Sequence, residues 1–182
     1  MHNLEHINIL AKKMHAGSSE ALSELEKLAD EGSPHACLYV GDGHFFKLGT
    51  QFDARKAFDF YNRATELGSA EGWLRSARAC LFLDDKSEAL SRFKTAYIEG
   101  FIEAAAHIGR LQKIDGHFTT ALEWLSIAAD KGHALALRNR ASIFIRGSAG
   151  KRQIFSGLRD LIKCVFVVIA MLIIDSDDWR LQ

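Results

Sequence analysis

Apolar and small residues recur along this chain with a long period. Four segments, residues 21–32, 57–68, 89–100 and 121–132, share one layout. Each opens on an alanine (Ala21, Ala57, Ala89, Ala121). An apolar residue comes next and another three positions later: Leu22 and Leu25, Phe58 and Tyr61, Leu90 and Phe93, Leu122 and Leu125. Each ends on a glycine, Gly32, Gly68, Gly100 or Gly132. The i, i+3 spacing predicts one stripe of an amphipathic helix, and the glycine predicts the left-handed residue that stops it.

A second pattern follows each glycine. Four positions on stands Ala36, Gly72, Ala104 or Ala136, and nine positions on stands Gly41, Ala77, Gly109 or Ala141. Bulkier residues such as Leu38, Trp73, Leu74, Ile108 and Leu137 lie between them. The small pair predicts a second helix that approaches the first with axes nearer ~8 Å than 10 Å apart. Each copy therefore reads as two antiparallel helices, and one such pair cannot cover its own apolar face. Stacked pairs can, which predicts an all-α fold: an α-solenoid of antiparallel helix pairs with terminal capping helices.

The flanks complete this picture. Leu4, Ile7, Leu10 and Met14 predict a helix over residues 2–15 that covers the first copy with one apolar side. Ser19 is expected to cap the helix that follows, and Asp53 and the "DD" at 84–85 to serve as helix caps. "GSAGK" at 147–151 reads as a flexible break, so the chain divides into a repeat region, 1–150, and a tail, 151–182. In the tail the periodic glycine is replaced by Cys164, and the helix is expected to run on.

In the fourth copy "ALEWLSIAADKGHALA" fits the pattern A-x-x-W-x-x-x-A-A-x-x-G-H-x-x-A, and "LGTQFDARKAF" at 48–58 places Gly49, Phe52 and Asp53 before Lys56 and Ala57. These residues resemble the Sel-one-like repeat, a relative of the tetratricopeptide repeat, over roughly residues 20–147. The connections "LDDKSEAL" and "IDGHFTTAL" are shorter and similar to tetratricopeptide loops. Trp124 holds the family's aromatic position, whereas Leu25, Tyr61 and Phe93 do not restore its Trp-Tyr pair. The resemblance implies a right-handed superhelix with a large concave surface. It also implies an adaptor or scaffold, of bacterial type, that binds a protein or peptide, cognate immunity and regulatory partners being among such roles.

Composition narrows the chemistry. The 182 residues carry 23 basic and 23 acidic side chains, a net charge of zero that favours no nucleic acid. The three cysteines, Cys37, Cys80 and Cys164, have neither disulfide-framework nor zinc spacing; they suit a reducing, cytoplasmic setting and small buried positions. His2 and His6 lack a third ligand, so no metal is expected, and no phosphate loop, nucleophile elbow or cofactor motif is present. His133, after a repeat glycine, is expected to answer helix-end carbonyls. The reading is a non-enzymatic interaction module without a cofactor. Its candidate partner-binding residues lie on the second helices: His35, Tyr39, Arg75, Arg78, His107, Arg138 and Arg140.

The tail leaves two main placements open, with burial against a partner as a third. Seven basic residues between 138 and 163 face only Asp160, and directly after them Cys164–Ile174 is uninterruptedly apolar. Val165, Phe166, Val168, Ile169, Leu172 and Ile173 either cap the solenoid or enter a membrane, with Asp160 at the headgroup level and Trp179 as an anchor. The membrane placement implies a second function class: a structural component of a bacterial envelope, secretion or polysaccharide-assembly complex, attached to the inner membrane by this helix.

Overall fold

The computed structural model describes residues 4–150 and 152–174, with side chains through 170. It consists of α1 (Leu4–His15), α2 (Ser19–Asp30), α3 (Pro34–Phe46), α4 (Ala54–Glu66), α5 (Glu71–Phe82), α6 (Lys86–Ile98), α7 (Glu103–Ile114), α8 (Phe118–Asp130), α9 (Ala134–Arg146) and α10 (Ile154–Ile174). No strand occurs among the described residues. The chain divides into two compact units, 1–99 with α1–α6 and 100–182 with α7–α10, and the division falls at the third repeat glycine.

The four repeat glycines adopt φ between 82° and 97°, the left-handed conformation expected of them. At Gly32, Gly68 and Gly132 the turn is closed by paired backbone bonds. Ser33 N–H donates to the Leu28 carbonyl, Ser69 N–H to Ala64 and His133 N–H to Ala128, at 3.0, 2.8 and 3.0 Å. The backbone thus answers the helix end that the His133 ring was expected to reach. The ring makes no cap bond, and its buried Nδ1 has no hydrogen-bond partner. At the starts of helices, Asp53 accepts from Lys56 N–H and Asp85 from Glu88 N–H, each at 3.0 Å, as expected. Ser18, not Ser19, caps α2. Its backbone is still extended, and its hydroxyl accepts from Ala21 N–H, three residues on.

In the first unit, α1, α3 and α5 touch one another in a row, whereas α2, α4 and α6 make no comparable contacts among themselves. The α1/α3/α5 row is therefore the tighter, inner one. Ile7, Leu10, Met14, Leu22, Leu25, Val40, Phe45 and Tyr61 form the core between the rows. Leu4 was expected on the apolar side of α1 but is half exposed, and Ala11 completes the buried stripe. In the second unit, Ile108, Leu111, Leu125, Leu137 and Ile143 are buried, and α9 contacts α7, α8 and α10.

The small residues work differently from the expectation that both admit the first helix of the pair. A Cβ on Gly72 would lie 2.7 Å from the Tyr61 carbonyl oxygen and 2.6 Å from the Thr65 methyl, both on the preceding helix, α4. A Cβ on Gly41 would overlap the Tyr61 ring, and one on Gly109 would lie 2.6 Å from Leu125 Cγ, in each case on the helix that follows. The first small residue admits the helix before, and the second admits the helix after, because the two positions lie on different sides of one helix.

Helix α10 runs on through Cys164 as expected. It lies antiparallel on α9. A Cβ on Gly157 would lie 3.1 Å from the Ala141 carbonyl oxygen, Cys164 Sγ is 3.4 Å from the Ala134 carbonyl oxygen, and Val167 faces Gly132. Residues 147–150 form a defined turn, with Gly147 left-handed and its N–H donating to Ile143 at 2.9 Å. No described helix is long and apolar enough to cross a membrane.

Two predictions follow from these contacts. Gly72→Ala gains up to about 1 kcal/mol of helix propensity but meets backbone that cannot yield, so urea unfolding is expected to show a net loss of about 1–2 kcal/mol. Burial lowers the His133 pKa below its ordinary 6.5, so the folded state favours the neutral ring. Stability is then undiminished above that value and falls as pH drops through it, because the unfolded chain binds the proton more readily. Thermal melts between pH 7 and 5 are expected to show this fall, and His133→Gln to make it shallower.

Candidate functional site

The residue seven positions after each repeat glycine (Tyr39, Arg75, His107, Asn139) lies on a helix of the inner kind, α3, α5, α7 or α9. Several of these residues link neighbouring helices. The Tyr39 hydroxyl donates to Asn8 Oδ1 at 2.9 Å, joining α3 to α1. Arg75 forms an ion pair with Asp42, joining α5 to α3. Lys113 Nζ donates to Asn139 Oδ1 at 3.0 Å, joining α7 to α9.

The Asp42 link is the most elaborate. Its carboxylate also accepts from the Tyr61 hydroxyl, at 2.8 Å, and Tyr61 is 1% exposed. Burial, then the Asp42 charge, push the Tyr61 phenol well above its ordinary range. Burial disfavours the Arg75 charge, but the carboxylates of Asp42 and Glu71 outweigh it and hold the guanidinium charged. A second arginine in this unit is held in a similar way. Arg92 lies 4.7 Å from the Phe58 ring centre and 5.4 Å from that of Trp73, and donates to Glu88, Asn62 and Ser76. Trp73 therefore packs between helices, as expected of it.

Arg78 differs from both. Its guanidinium lies 5.9 and 5.8 Å from the ring centres of Phe45 and Phe46, and it forms no ion pair among the described residues. Phe45 also contacts Phe82 edge to face, with centroids 5.0 Å apart, and Phe52 at 6.2 Å. Phe46, Phe52 and Phe82 are exposed, Phe82 at 62%. Asp42, Phe45, Phe46, Tyr61, Arg75 and Arg78, from α3, α4 and α5, line one small pocket.

The remaining candidates are dispersed. His35 is exposed at the start of α3, His107 is half-buried on α7, and Arg138 is exposed on α9. Arg140 is buried. Its Nε and Nη2 donate to the two carboxylate oxygens of Asp160 at 2.7 and 3.1 Å, and its Nη1 donates to Asp130 at 2.9 Å. Asp160 is 0% exposed, so it is an internal counter-ion and not a headgroup-level residue. Val165, Phe166, Val168 and Ile169 are exposed; the side chains of Leu172 and Ile173, and all of Trp179, lie outside the described residues. Among the described residues no group of three His, Cys, Asp or Glu side chains is placed to share a metal ion. Cys37 and Cys80 are buried, and burial pushes the Cys80 thiol up to about 11.

Sequence reasoning missed Asp42, Phe46, Phe82 and Asn139. The register alone marks Asn139, since it is the fourth member of the plus-seven position, where Arg138 and Arg140 were chosen for their charge. Asp42 stands ten positions after Gly32, where Arg78 follows Gly68, so the two carry opposite charge at one register position.

Comparison with solved structures fits this geometry. A Sel1 repeat protein from Oxalobacter formigenes superposes with a TM-score of 0.73 at 18% identity, over 87% of this chain and 69% of that one. The chain has the Sel1-like repeat fold. MamA superposes on this Sel1-like chain with a TM-score of 0.62 at 16% identity, over 84% of this chain and 89% of its own. YrrB, a tetratricopeptide protein with an unusual peptide-binding site, superposes at 0.60 with 20% identity, over 88% and 82%. No family model and no curated protein matches the sequence.

The Arg140–Asp160 pair makes a stability prediction. Asp160→Ala leaves a buried guanidinium with only the exposed Asp130, and chemical denaturation is expected to show a loss of about 3 kcal/mol. The double variant Arg140→Leu, Asp160→Leu removes both charges and is expected to lose less than the single one.

Proposed function

We propose that this Sel1-like chain is a non-enzymatic interaction module that binds an extended protein segment on the inner row of its first unit. Arg78, Phe46 and Phe82 are the anchors. The observation that carries the reading is the contrast among the arginines. Arg75 and Arg92 are bound up in internal carboxylate and amide contacts, while Arg78 lies over two aromatic rings without a counter-ion among the described residues. An aromatic surface beside a cation that forms no ion pair among the described residues matches a ligand with an apolar side chain next to a carboxylate. The peptide-binding site named for YrrB, which shares the fold, supports the same class of ligand.

The chemistry of the row agrees with binding rather than reaction. Asp42 on α3 is engaged by Arg75 on α5 and by the Tyr61 hydroxyl on α4, and burial keeps the Tyr61 phenol protonated. Such a network supports a fixed binding surface.

The test is selection of a random displayed peptide library on the immobilised full chain, followed by anisotropy titration of the enriched peptide. Arg78→Ala and Phe82→Ala are each expected to weaken binding about tenfold, with circular dichroism unchanged. Equal affinity in both variants overturns the assignment of the site.

A further inference from the structure

Helix α10 presents a second surface, independent of the first. The side that faces α9 is made by Gly157, Asp160, Cys164 and Val167. Away from it, Phe155, Leu158, Ile162, Val165 and Ile169 are all exposed, from 45% for Ile169 to 90% for Phe155. These residues are separated by 3, 4, 3 and 4 positions. That alternation is the heptad spacing by which one α-helix seats its side chains into another over several turns. It exceeds what burial on α9 requires, because α9 already occupies a different side of α10.

We infer that this seam is a homotypic interface, occupied by α10 of a second copy of the chain. Three observations support it. The first is the shape of the patch: the alternation keeps five exposed apolar side chains in one straight stripe along about four turns, the form that seats a partner helix. The second is extent. The five seam residues expose roughly 550 Å² in one copy, or about 1,100 Å² for two, which clears the ~1,000 Å² that a specific interface needs. The third is charge. The seam carries no ionisable side chain, and the cations beside it, Arg159 and Lys163, lie along one edge. Two copies related by a two-fold axis therefore bring apolar stripe against apolar stripe, without burying like charges at the centre. The anchoring of α10 on α9 through the buried Arg140–Asp160 pair holds the seam rigid before association, which reduces the ordering that dimerisation requires.

Sedimentation equilibrium of the full chain is the test. At tens of micromolar, twice the chain mass is expected, and the double variant Ile162→Glu, Val165→Glu is expected at the single mass with an unchanged helical spectrum. Both residues are exposed, so the substitutions leave the core intact. Lys163→Glu, at the edge of the seam, is expected to keep the dimer. A single mass for the unmodified chain at that concentration overturns the inference. So does a dimer that survives the double variant. A chain that is monomeric in solution, yet co-sediments with vesicles of phosphatidylcholine and phosphatidylserine until the double variant is introduced, assigns the seam to a lipid surface instead.

Discussion

Neighbouring helices in this protein meet at points where one of them has almost no side chain, and most other features depend on that constraint. At Gly72 the limit is the backbone of α4 itself, and at Gly41 and Gly109 it is the ring of Tyr61 and the side chain of Leu125. Contact at that distance fixes the axial register of each helix against the next. Fixed register is what places Asp42 opposite both Tyr61 and Arg75, and Lys113 opposite Asn139. A looser crossing, filled by leucines, permits sliding, and polar pairs at one set spacing then have no stable geometry.

The charged groups divide according to the same geometry. An arginine is costly to bury unless its donors find acceptors. Arg75, Arg92 and Arg140 meet that condition in the depth of each unit, by different partners: a neighbouring helix's aspartate, amide and hydroxyl groups beneath an aromatic pair, and the carboxylate of the terminal helix. Arg78 stands one turn further along α5 than Arg75, above rings instead of beside carboxylates. A shift of three residues along one helix thus separates a cation paired with carboxylates from one that lies over aromatic rings.

The repeat, the helix pairs, the left-handed glycines and two of the caps were legible in the sequence, because each rests on local backbone preference or on a spacing that recurs. What was not legible depends on which side of a helix meets which neighbour. The same five-residue spacing of small residues serves two different helices, and a single sequence does not say so. Arg140 looked like a surface cation in a basic cluster. Its counter-ion, Asp160, lies twenty residues away on a helix whose apolar run suggested a lipid setting. The Arg78 pocket draws on three helices, α3, α4 and α5, and its members share a register position only in part. Ser18 and Ser19 are chemically equal as caps, and the backbone of the preceding turn decides between them.

The Tyr61–Asp42–Arg75 link also bears on modularity. Asp42 belongs to the first copy of the repeat, while Tyr61 and Arg75 belong to the second. Excision of the second copy, or its replacement by a consensus unit, removes both partners at once and strands a carboxylate in the interior of the first. The copies look interchangeable by their glycines and alanines, yet they are not independent building blocks. Any recombination of this chain has to cut within helices' shared contacts, and a junction that keeps residues 42–75 together preserves more of the fold than one placed at the repeat boundary.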